Sequence, residues 1–106
     1  KTENNSKSNN DQDMKEIILI VEDNEINAEA ISEMLKKSGY DSIVVNDGQE
    51  GVDIFKKNPD IPIILMDIQL PKMNGYEATI AIRNLKHGDK VKIIAVTAFA
   101  LTYLSH

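Results

Sequence analysis

The stretch "IPIILMDIQLPKMNG", residues 61–75, decides the fold. Ile61 to Met66 is apolar but for Pro62, then the run meets the carboxylate of Asp67. Pro71 and the pair Asn74-Gly75 follow, and such residues mark turns and helix starts. A short Ile-rich run bounded by turn residues reads as a fully buried strand. It ends on a residue that serves either as a loop former or as a reactive group.

Working outward, the same unit recurs. "EIILIV" (16–21) is a second apolar run of strand length. Residues 25–38 place Ala30, Ile31, Met34 and Leu35 on one helical face, with Lys36, Lys37 and Gly39 as stop signals. "SIVVN" (42–46) predicts a strand. Asp47 and Glu50 have capping-box-like spacing for a helix that carries Val52 and Phe55 inward and ends before Pro59. After the opening stretch, Asn74 and Glu77 repeat that start signal. Ala78, Ala81, Ile82 and Leu85 keep helical spacing up to Gly88. "VKIIAVT" (91–97) predicts a fourth strand, and "AFALTYLSH" (98–106) the opening of another helix. Strands that alternate with helices and are apolar throughout predict an α/β, doubly wound parallel sheet covered on both faces.

Composition narrows the function. The chain has 106 residues, which favours one domain, and a formal charge of −5, which argues against nucleic acid and anionic membrane as partners. Its longest unbroken apolar run, Ile17 to Val21, is far too short to span a bilayer. With no cysteine, disulfides, thiolate metal sites and cysteine catalysis are excluded, and a cytoplasmic setting is the expectation. Residues 1–13 contain no apolar side chain, so 1–15 is expected to be a disordered linker or tail, with the folded domain over 16–106. A start at Lys rather than Met fits a domain cut from a longer protein.

In a parallel sheet all strand C-termini share one edge, where ligands bind. Strand 1 ends in Glu22-Asp23, strand 3 in Asp67 and strand 4 in Thr97. If strands 1 and 3 are neighbours, as in a 2-1-3-4 order, three carboxylates crowd one cleft. One must then protonate or a cation must sit among them. A compact all-oxygen acidic site suits Mg²⁺, and a carboxylate beside it is a plausible nucleophile toward a phosphoryl group. Thr97 offers a hydroxyl to a phosphoryl oxygen. Each residue also has an ordinary role: Asp23 or Asn24 as the N-cap of helix 1, Asp67 as a loop residue, Thr97 as a strand residue or cap. There is no Gly-rich phosphate loop and no G-x-S-x-G, and His87 and His106 lack metal-ligand spacing.

The segments "LIVEDNEIN", "ILMDIQLPKMNGYE" and "IIAVTAFA" resemble the receiver domain of two-component response regulators, especially single-domain receivers and those of hybrid kinases. The resemblance runs from about Glu16 to Leu101. It implies a flavodoxin-like sheet in the order 2-1-3-4. It also implies that Asp67 accepts a phosphoryl group from a phosphohistidine donor, with Mg²⁺ held by Asp23, Asp67 and the Gln69 carbonyl. Glu22 would act through water or support the site. Thr97 would be the switch hydroxyl, with Ala98, Met73 and Asn74 as neighbours of the phosphoryl group. A histidine kinase or a histidine phosphotransfer protein is the implied partner, and the implied role is signalling rather than enzymatic turnover.

Two family features are missing. No Lys follows Lys92, so the lysine that ends a fifth strand has no counterpart, and the switch aromatic is absent unless Tyr103 substitutes. Only about five residues separate "TYLSH" from Thr97, too few for a parallel crossover of at least ~10. The expectation is therefore a chain incomplete at its C-terminus, lacking strand 5 and helix 5. Strand 4 would be an open edge inviting a homo-oligomer or a domain swap. Two other functions fit: an unphosphorylated pseudo-receiver acting as a docking module, and a phosphoaspartate-forming phosphatase. The second needs D-x-D, whereas Gln69 stands two residues after Asp67.

Overall fold

Among the described residues, five strands and three helices follow one another: β1 (Ile17–Val21), α1 (Glu25–Lys37), β2 (Asp41–Val45), α2 (Gly48–Lys57), β3 (Ile63–Asp67), α3 (Gly75–Arg83), β4 (Lys92–Val96) and β5 (Leu101–Leu104). This computed structural model describes residues 16–70 and 73–96, and the backbone of 101–104. The expected tail at 1–15, Thr97, Ala98 and His106 lie outside the described residues.

The sheet order is β2-β1-β3-β4-β5. The first four strands are parallel, in the predicted 2-1-3-4 order. Successive side chains on β1, β3 and β4 point to opposite faces, so each of these strands feeds two cores. Leu19, Val21, Ile64, Met66 and Ile93 join Phe55 of α2 and Ile82 of α3 on one face. Ile18, Ile20 and Leu65 meet Ile31 and Leu35 of α1 on the other. This double burial is why the strands lack polar alternation.

Each helix starts and stops where its residues dictate. Asn24 caps α1, its side chain accepting from the Asn27 amide at 2.9 Å. At the far end Gly39 takes a φ of +93°, and the Tyr40 amide reaches back to the Leu35 carbonyl at 2.8 Å, which is a glycine-terminated stop. Asp47 caps α2 through the Glu50 amide at 2.8 Å. Asn74 and Glu77 form a full capping box on α3.

The C-terminal helix expected over 98–106 is not what forms. Residues Leu101–Leu104 make β5, antiparallel to β4, with Ile94 opposite Tyr103 and Val96 opposite Leu101. A short connection cannot carry a parallel crossover, but it can close a hairpin, and "LTYL" is rich in strand-forming residues. No parallel fifth strand stands among the described residues. The outer edge of β4 is therefore paired rather than open, which removes the basis for expecting association there; the sheet ends at β2 and β5.

Candidate phosphoacceptor and metal site

The register of the parallel strands brings the acids together. Val21 lies opposite Met66, so Glu22-Asp23 emerge beside Asp67, and Asp67 lies opposite Val96. One carboxylate oxygen from each of Glu22, Asp23 and Asp67 lies within 4.8 Å of the other two. Glu22 is buried, Asp67 half-buried and Asp23 exposed. Because Asn24 is the cap of α1, Asp23 is not spent on that task and faces the cluster's opening.

Glu22 is the group under most strain electrostatically. Its residue is 4% exposed, with its amide bonded to the Val45 carbonyl at 3.0 Å. Burial pushes its carboxyl up to about 7, against the pull of the Asn24 amide, which donates to Oε2 at 3.2 Å. The charge of Asp67, a side-chain hydrogen bond to Asp67 and the charge of Asp23 add to the rise. Carboxylates this close repel one another, so the buried Glu22 keeps its proton more readily unless a cation sits among them. Asp67 is steadied from the other side, where Oδ1 accepts from the Gln69 amide at 2.9 Å.

This donor set fits a small divalent cation: all oxygen, compact, and carrying more negative charge than the fold tolerates without a counter-ion. Asp23, Asp67 and Glu22 are the side chains placed to hold it. Gln69 is exposed beside Asp67, while Met73 is half-buried and Asn74 exposed at the start of α3. Lys92 is not the missing lysine, because it pairs with Ile63 at the opposite end of β4 from Val96.

Two glycines that the motifs did not single out as functional shape the site. A Cβ on Gly75 would stand 2.5 Å from the Asp67 carbonyl oxygen and 2.6 Å from the Ile68 Cα. One on Gly48 would stand 2.6 Å from the Met73 carbonyl oxygen. The only sequence trace is a glycine directly after an N-cap, in "DG" at 47–48 and "NG" at 74–75.

Comparison with known proteins agrees with this geometry. Residues 18–103 match the response regulator receiver domain family. The polar-differentiation response regulator DivK of Brucella ovis is 39% identical over 89 residues, covering 83% of this chain and 71% of that protein. The receiver domain of a sensor histidine kinase from Pseudomonas aeruginosa, solved with magnesium coordinated in its active-site cleft, is 42% identical with a TM-score of 0.74, over 80% of this chain and 69% of that one. A Saccharomyces cerevisiae co-crystal of a histidine phosphotransfer protein and the receiver domain of its downstream response regulator matches at 35% identity and a TM-score of 0.69, over 77% and 63%. On the strength of the family match, the strand order and the acid-lined strand ends, the chain belongs to the response regulator receiver domains of two-component signalling.

Proposed function

We propose that this receiver accepts a phosphoryl group on Asp67 from the phosphohistidine of a histidine kinase or a histidine phosphotransfer protein. The observation that carries the reading is the cluster of Glu22, Asp23 and Asp67 at adjacent strand ends. A carboxylate oxygen of Asp67 forms the new O–P bond. The P–N bond of the donor imidazole breaks, and its electron pair stays on nitrogen, which takes up a proton. The Gln69 amide holds Oδ1, leaving the second oxygen as nucleophile. Mg²⁺, held by Asp23, Asp67 and the Gln69 carbonyl with Glu22 in support, would offset the charge of the phosphoryl oxygens. Thr97 is the proposed switch hydroxyl, with Ala98, Met73 and Asn74 around the group. The acceptor is consumed once per transfer, so the domain relays a signal, in the cytoplasm, rather than turning over a substrate. The yeast complex and the magnesium-bound Pseudomonas receiver support the partner and the ion.

The test is incubation with acetyl phosphate and Mg²⁺ followed by intact-mass measurement. One added phosphoryl group is expected in the wild type and none in Asp67→Asn. An unchanged wild-type mass would instead make the domain a docking module.

A further inference from the structure

The helix after β2 and the helix after β3 both begin with glycine; one lies against Met73 and the other against the Asp67 backbone. Gly75 opens α3 against the Asp67 carbonyl and Ile68, and its amide donates to the Ile68 carbonyl at 3.2 Å. Gly48 opens α2 against Met73, two residues before Gly75. Added methyl carbons would lie 2.6 Å from the Met73 oxygen and 3.1 Å from the Met73 Cβ, inside van der Waals contact, and the first of these is backbone, which cannot rotate away. Met73 is itself packed against the main core, so it has little freedom to retreat. Gly48 thus bears on Met73, the chain runs from Met73 through Asn74 to Gly75, and Gly75 bears on the Asp67 carbonyl. α2 supplies no acid to the cluster.

We propose that Gly48 is a positioning residue for the acceptor site: its bare Cα lets α2 bear on the Met73 backbone and so fixes Asp67 and the Gln69 amide that holds it. The inference rests on the reading that Asp67 and its neighbours bind Mg²⁺, and it adds to that reading a residue from an element with no ligand. Outer residues that orient metal ligands typically change affinity by about 10–100-fold when altered.

The experiment is amide NMR on the whole chain, with and without Mg²⁺. Gly48→Ala is expected to move the Gln69 amide resonance and speed its hydrogen exchange before any Mg²⁺ is added, and to weaken Mg²⁺ binding about tenfold or more. Phe55→Leu, on the same helix but fully buried in the core, should lower the melting temperature while leaving the Gln69 amide and Mg²⁺ affinity in place. An alanine variant that affects Gln69 no more than Phe55→Leu does overturns the proposal. If Gly48→Ala does not fold, Asp47→Ala and Asp47→Asn decide the matter. Both remove one charge, but only the alanine removes the cap of α2, so weaker Mg²⁺ binding in the alanine alone is expected and equal binding overturns it. A wild type that binds no Mg²⁺ sinks the underlying reading, and the Gln69 amide then still judges Gly48.

Discussion

Asn24 frees its neighbour. By accepting the Asn27 amide it does the capping that Asp23 could equally have done, so the acid is left for the cluster. From sequence alone the two were interchangeable, because Asp and Asn cap equally well. Glu22 was legible as an acid at a strand end but not as a buried one, since burial depends on Val45, Asn24 and Asp67 closing around it. Its pH behaviour follows. The fold raises its carboxyl to about 7 from an ordinary 4.5, so the fold favours the protonated form. The stability this group contributes is present in full below 4.5 and is lost as pH rises through about 7. Melting curves with chelator should therefore show the wild type losing stability across that interval, and Glu22→Gln losing markedly less. His87 makes a second residue-scale prediction. Its φ is +66°, the left-handed region, which costs an ordinary residue about 1–2 kcal/mol. Glycine relieves that strain at an entropic cost of about 0.5–1 kcal/mol. His87→Gly should raise stability by about 0.5 kcal/mol in denaturant titration; a loss would show that the imidazole packs usefully against the turn.

At the scale of elements, the four parallel strands and three helices were readable because each has one dominant signal. Continuous Ile and Val runs specify strands, and Asp47/Glu50 and Asn74/Glu77 specify helix starts. Asn74→Ala removes the α3 cap and should cost about 1 kcal/mol by thermal or denaturant unfolding. β5 was misread as a helix because a few apolar residues fit either periodicity, and only pairing with β4 separates the two. Deleting residues 101–106 should expose the β4 edge. A lower melting temperature and a concentration-dependent shift in size-exclusion elution are expected; an unchanged monomer would mean that β5 adds little to the sheet.

For the whole molecule, the 2-1-3-4 order came with the resemblance to receiver domains; the residues alone said only that three acids would crowd one cleft if strands 1 and 3 adjoined. What escaped the sequence were contacts between distant elements, such as Gly48 on Met73 and the closeness of the buried Glu22 to Asp67, which exist only once the layers are stacked. A cation that binds the folded cleft alone stabilises the entire domain by mass action, about 2.7 kcal/mol at a hundred times its dissociation constant. Adding Mg²⁺ should raise the melting temperature, chelation should reverse it, and Asp23→Asn should blunt the response. An equal rise in that variant would place the ion elsewhere.

The backward course of β5 decides which residues share the end of the sheet away from the acids. Since β5 runs backward, Leu104 comes to rest beside Ile93, on the same floor of the sheet from which Ile17 sets out. The two residues are three strand spacings apart, about 14 Å. Both lie at the end of the strands away from Glu22, Asp23 and Asp67, so neither crowds the acidic mouth.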